Sequence, residues 1–269
     1  MTGGPFATHP VVRGFDRAAA AYERGRPGYP PAAIVHLGRV LGLGRSTTVV
    51  ELGSGTGKFT RALAPLGAAR VAVEPVAGMR RVFARTTPDV PVLAGTAESI
   101  PLPDGFSDAV LVAQAFHWFR PGPALREIAR VLRPGGGLGL VWNLRDESVP
   151  WSRRLSRIME RYRRLRTAPR SRDRDWRRAF DRPSNGFGRL HRKVFPHLQR
   201  APRATFVDRV LSVSVVAVQP PAERRRIARE VLAVLAEDPM TRGRAMLEMP
   251  YRTEVYWTRR VSRNRAGSP

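Results

Sequence analysis

Val49 to Thr60 reads VVELGSGTGKFT. Apolar, β-branched residues run directly into glycines at 53, 55 and 57, separated by Ser54 and Thr56. A buried strand that breaks into a glycine corner and then a helix brings backbone close to a small ligand. Glycine permits the sharp turn and the close approach, and the amides at a helix start face an anion.

Outward from this corner the chain alternates. TTVVEL predicts a strand, and KFTRALAPLG a short helix ending near Pro65 and Gly67. ARVAVE predicts a second strand. PVAGMRRVFART predicts a helix with Pro75 at its first turn and Val76, Met79, Val82 and Phe83 on one face. PVLAG and SDAVLVAQ predict strands three and four. ALREIARVLRPGGG predicts a helix with Leu125, Ile128, Val131 and Leu132 inward and a glycine stop, and GLGLVWN a fifth strand. Strand and helix in alternation over about 100 residues specify a parallel sheet covered on both faces. Upstream lie FDRAAAAYERG, a helix broken at Pro27 and Pro30, and PAAIVHLGRVLGL, with Ile34, Leu37 and Leu41 at helical spacing. Downstream, 145–180 reads as one or two arginine-laden helices, GRLHRKVFPHLQ as a strand and TFVDRVLSVSVV as helical at its start. PAERRRIAREVLAVLAED reads as a helix striped by Ile227, Val231, Val234 and Leu235, and YRTEVYWTRRV as the last strand.

Three ligand classes use such a corner. A mononucleotide loop requires GxxxxGK followed by Ser or Thr, but Leu52 stands five before Gly57 and Phe59 follows Lys58. A dinucleotide fingerprint requires GxGxxG, but Lys58 occupies its third glycine. What remains is ExGxGxG: Glu51, Gly53, Gly55 and Gly57.

This spacing resembles motif I of the class I S-adenosylmethionine-dependent methyltransferases. With YERGRPGYP, GTAESIPLPDGFSDAV, LVAQAFHWF and LRPGGGLGLVWN it is similar to the type 11 methyltransferase group, and within that group to its trans-aconitate methyltransferase-like branch. The resemblance implies a Rossmann-like α/β fold: a seven-stranded, mostly parallel sheet with helices on both faces and a helical cap from C-terminal insertions. It implies a tail and cofactor-covering helix over 1–30, a cofactor-binding core over 31–145, a C-terminal part over 146–262 that completes the sheet and forms the cap, and a tail over 263–269. The implied cofactor is S-adenosylmethionine, and the implied contacts include Glu51, Gly53, Ser54, Gly55 and Gly57 around the corner. Glu74, at the end of the second strand, would accept both ribose hydroxyls; the competing role is a helix N-terminal acid. Met79 would lie on the adenine, or else in the core. Thr96, Ala97 and Glu98 would cup the adenine; Thr96 stands where many relatives carry Asp, which leaves the contact to the backbone of Ala97. Gln114 closes the fourth strand. Tyr22, Arg26 and Tyr29 would fold over the cofactor, with Arg26 on the methionine carboxylate or in solvent.

The implied reaction is methyl transfer to a small-molecule acceptor at a carboxylate or hydroxyl oxygen, by in-line displacement driven mainly by positioning. His117 is the candidate general base, with packing on Trp118 as the competing role. Phe116, Trp118, Trp142, Asn143, Arg145 and Tyr251, with Thr253, would line the acceptor pocket. Arg145 suits an acidic acceptor unless Asp146 and Glu147 occupy it.

Of 269 residues, 47 are basic and 22 acidic, for a formal charge of +25. All the basic residues but Lys58 and Lys193 are arginine, a skew that a GC-rich genome produces without any partner. Residues 151–269 hold 30 of the basic and 11 of the acidic residues. Arg153 to Arg178 contains 12 arginines, which keeps an RNA methyltransferase as the alternative. AFHWF stands where base-amine methyltransferases carry an N/D-P-P-Y/F motif, and no RNA-binding module signature is present. A cofactor-binding protein without turnover is the third reading. Zero cysteines exclude disulfides, cysteine catalysis and thiolate metal sites, and no apolar run reaches membrane-spanning length. The expected location is cytoplasmic, without a membrane partner. Oligomeric state and acceptor identity are not legible.

Overall fold

The computed structural model describes residues 19–164, 176–181 and 185–261, without the side chains of 163 and 164. The N-terminal tail with His9, the middle of the arginine-rich segment and the C-terminal tail lie outside the described residues.

Helix α1 covers 19–25 and α2 covers Pro31–Leu41. The alternating core follows: β1 (Thr48–Leu52), α3 (Lys58–Ala62), β2 (Ala69–Val73), α4 (Ala77–Thr86), β3 (Val92–Leu93), β4 (Ser107–Ala113), α5 (Pro121–Val131) and β5 (Leu132–Arg145). The remainder is α6 (Pro150–Arg164), β6 (His191–Pro202), α7 (Arg203–Leu211), α8 (Ser214–Ala217), α9 (Pro221–Glu237) and β7 (Met246–Arg259). One seven-stranded sheet runs in the order β3-β2-β1-β4-β5-β7-β6. Pairings from β3 to β5 are parallel, and β7 is antiparallel to both its neighbours.

The central strands carry apolar residues on both faces, as a doubly covered parallel sheet requires. Val49, Val50 and Leu52 of β1 and Val110 to Val112 of β4 are almost wholly buried. On one face α5 presents Ala124, Leu125, Ile128 and Val131 to the sheet. On the other, α2 presents Ala33, Ile34, Leu37 and Leu41. A third core lies beyond the strand ends. There Trp151, Leu155 and Ile158 of α6, Phe206 and Val210 of α7, and Ile227 and Val231 of α9 pack against Leu247 and Met249 of β7. The C-terminal segment thus completes the sheet and roofs its end with helices.

Three expectations change. The third strand shrinks from PVLAG to Val92–Leu93. Helix α5 does not stop on a glycine: Leu132 already has extended backbone (ψ 141°), and the RPGGG run belongs to an irregular opening of β5. The last strand begins at Met246, before the aromatic run, because its first residues pair with the end of β6, Met246 opposite Pro202.

Candidate functional site

The C-terminal ends of β1, β2 and β4 open into a cleft of about 660 Å³, counting its mouth. Open α/β sheets bind ligands at this edge. The glycine corner forms one wall. Gly53, Gly55 and Gly57 all have left-handed backbone (φ 65°, 59° and 82°), which a side chain at these positions would strain. Gly53 and Gly55 line the cleft, whereas a Cβ at Gly57 would meet Thr87 Oγ1 at 2.6 Å and the Phe83 ring at 2.9 Å. Gly57 is therefore required by packing against α4, not by the cleft.

Glu74 stands at the end of β2, 5% exposed, and lines the cleft. Its Oε2 accepts from the Gly55 amide and its Oε1 from the Val76 amide, both at 2.9 Å. Burial pushes its carboxyl up to about 7 against these two hydrogen bonds. The carboxyl thus reaches one amide of the glycine corner and another at the start of α4, so its position is fixed from both sides.

Val76, Met79, Ala97 and Phe119 supply an apolar slot, with Thr96 and Glu98 at its edge. The Arg120 amide donates to Glu98 Oε1 at 2.8 Å. Gln114 faces the corner from β4 with left-handed backbone (φ 60°), a strained state for a residue with a side chain. Its amide donates to Val141 O at 2.8 Å. Helix α1 closes the remaining side with Tyr22. Glu23, which sequence reasoning passed over, ties α1 to the corner: it accepts from Thr56 Oγ1 at 2.5 Å and from Arg61, with Lys58 at 3.7 Å.

A second, smaller cavity shares Tyr22 and Gln114 with the first and adds Arg26, Tyr29, Asn143 and Arg209. Asn143 Nδ2 donates to Gly28 O at 2.8 Å, and its Oδ1 accepts from Thr253 Oγ1 at 2.6 Å. Arg26 lies 4.5 Å over the Tyr22 ring. Arg145 and Tyr251 are cross-strand partners in β5 and β7, and Tyr251 donates to Gln199 Oε1 at 3.1 Å.

Several expected site residues lie elsewhere. Glu51 is buried beneath the corner, where Thr60 donates to it and burial pushes its carboxyl up to about 8. Ser54 is buried outside the cleft lining. Trp142, expected in an acceptor pocket, lines neither cavity. Strand residues alternate between faces, so Trp142 points away from Asn143 and stacks on Trp176 at 4.5 Å in the α5-side core. Phe116 is likewise wholly buried there against Phe119 and Trp176, while Trp118, two residues on, turns into the cleft. His117 packs 5.3 Å from Trp118 and does not line either cavity.

The arginine-rich segment is partly committed within the molecule. Arg154 pairs with Glu237 at 2.5 Å and Arg161 with Glu230 at 2.9 Å, both on α9, and Arg177 donates to the Tyr256 hydroxyl. Among the described residues no group of three or more His, Asp or Glu is placed to hold a metal, and no helix is long and apolar enough to cross a membrane.

Residues 50–140 match the type 11 family model, described as "Methyltransferase domain". The chain is 34% identical over 246 residues to an uncharacterized methyltransferase-like protein of Schizosaccharomyces pombe, over 91% of this chain and 94% of that one. It is 52% identical over 147 residues to an uncharacterized methyltransferase of Mycobacterium tuberculosis, over 55% of this chain. That match spans only 59% of the mycobacterial relative's length. Among solved structures, the YcgJ protein of Bacillus subtilis shares the fold, with a TM-score of 0.56 and 18% identity over 86% of this chain and 99% of that one.

Proposed function

The chain belongs to the type 11 methyltransferase family, and from that premise we propose that it transfers a methyl group from S-adenosylmethionine to an oxygen of a small-molecule acceptor. One observation carries the reading: the buried Glu74 carboxyl lines the cleft at the end of β2, beside the amide of Gly55. A carboxylate there suits a ribose diol, since each oxygen that accepts one backbone amide retains a lone pair for a hydroxyl. The neighbouring slot of Val76, Met79, Ala97 and Phe119 suits a flat purine, and Gly55 leaves room for the remainder. When bound, the cofactor supplies a methyl group already activated on a sulfonium.

The chain's own task is then to bind, orient and exclude water. Glu74 and the backbone around Ala97 hold the nucleoside end. Tyr22 covers the cleft, with α1 anchored by Glu23. Gln114 and Asn143 border the second cavity, where the acceptor enters. An ionised carboxylate needs no base, which accords with His117 lying off the cavity lining.

A pH test follows from Glu74. Ribose hydroxyls donate to its ionised form, so binding favours loss of the proton held at about 7. Affinity for S-adenosylhomocysteine is expected to rise about tenfold from pH 6 to pH 8, with proton uptake by the buffer near pH 7. Calorimetry in two buffers of different ionisation enthalpy reads both. Glu74→Gln should remove the dependence. Binding that is strong, pH-independent and proton-silent in the native chain would contradict the role given to Glu74.

A further inference from the structure

We propose that Arg26, Arg145 and Arg209 form a buried oxyanion-binding site that selects an acidic methyl acceptor; this rests on the functional reading above. The three come from distant segments. Arg26 directly follows α1, Arg145 ends β5 and Arg209 lies on α7. Gly25 makes the meeting possible: a Cβ there would stand 2.4 Å from the Arg209 backbone nitrogen. The Arg24–Asp208 ion pair at 2.7 Å and the bond from Gln199 Nε2 to Gly25 O clamp the same contact.

The cluster is cationic and uncompensated. Among the described residues, none of the three arginines pairs with a carboxylate. Arg209 is 7% exposed, and its Nε and Nη1 are buried without a hydrogen-bond partner, as is Nε of Arg26. Among the described residues Arg145 donates to uncharged acceptors, Ser156 Oγ at 3.1 Å and Met159 Sδ at 3.7 Å. Burial and the charge of Arg209 depress both Arg26 and Arg145, to about 10 and about 9. Tyr22, Tyr29 and Tyr251 face them, Lys58 lines the same cavity with Glu23 at 3.7 Å, and Glu147 acts on Arg145 through its field. His197, the β6 partner of Tyr251, has its pKa lowered by burial.

Burying like charges without partners is strongly unfavourable unless a ligand supplies the counter-charge. Arg26 and Arg209 both line the second cavity, which meets the first at Tyr22 and Gln114. The methionine carboxylate of the cofactor can satisfy Arg26, which lies over Tyr22 where the two cavities meet. It leaves the other two, and the cofactor's own cationic groups add to the demand. The remaining negative charge must come with the acceptor. Guanidinium forks bind carboxylate and phosphate oxyanions alike, so the shared chemistry is an oxyanion on a small acid.

The test uses the full chain saturated with S-adenosylhomocysteine, titrated at constant ionic strength with succinate and, separately, with inorganic phosphate. Saturable binding of one or both is expected, and the stronger probe identifies the source of the oxyanion. Arg209→Met should weaken that binding about tenfold or more while leaving S-adenosylhomocysteine affinity within about twofold. Without anion at low salt, Arg209→Met should also raise Tm, because it removes an unpaired buried charge. Arg145→Gln should weaken probe binding in the same sense. No saturable binding of either probe by the native chain, equal binding by Arg209→Met, or a lowered Tm in that variant would overturn the proposal. Loss of S-adenosylhomocysteine binding by the native chain would instead overturn the methyltransferase reading on which it rests.

Discussion

Replacing Glu74 by alanine is expected to weaken S-adenosylhomocysteine binding on the order of 100-fold or more, at roughly 1.5–3 kcal/mol for each hydrogen bond to a charged group. The loss has two parts. The ligand's hydroxyls lose their acceptor, and the amides of Gly55 and Val76 lose theirs, so the glycine corner and the start of α4 are no longer joined. Calorimetric titration beside the native chain measures it. The same variant removes a buried carboxyl whose ionisation the fold resists, so thermal stability should change far less than affinity. Unchanged affinity would place the ribose elsewhere.

Trp142→Ala is expected to act on stability. Trp142 is 2% exposed, stacks on Trp176 and meets the Tyr256 ring edge at 5.7 Å. Truncating such a residue costs about 3–5 kcal/mol through lost burial and the cavity left behind. At this chain length that lowers Tm on the order of 10 °C. Trp142→Phe should recover part of it. Cofactor affinity at temperatures where the variant is folded should be nearly native. A variant with native Tm and altered acceptor preference would return Trp142 to the acceptor pocket.

These two residues mark how far the sequence could be read. Glu74 was legible because its place is local: it ends a short strand, a fixed distance past a glycine corner, at the edge where α/β sheets bind ligands. The core strands were legible because Val49–Val50 and Val110–Val112 are buried on both faces and therefore uniformly apolar. Trp142 was misjudged because proximity to a strand end does not fix which face a side chain takes, and Asn143 beside it takes the other. Phe116 and Trp118 diverge in the same way within one 3₁₀ turn. Glu23 and Arg209 gave no signal, since the segments they meet lie far away in sequence: Glu23 bonds Thr56 and Arg61, and the Arg24–Asp208 pair that brings α1 to Arg209 spans 184 residues. The arginine-rich stretch suggested an external polyanion, but Arg154 and Arg161 have carboxylates waiting on α9.

Methyl transfer by this chain requires that the cleft beside Glu74 bind the methyl donor, and titration of the native full chain with S-adenosylhomocysteine in a calorimeter decides it. One-to-one binding with a micromolar Kd is the result expected of a cleft with this carboxyl, this apolar slot and this glycine corner. A folded chain that takes up no S-adenosylhomocysteine at millimolar concentration would contradict the claim, and the glycine corner would then require a different ligand.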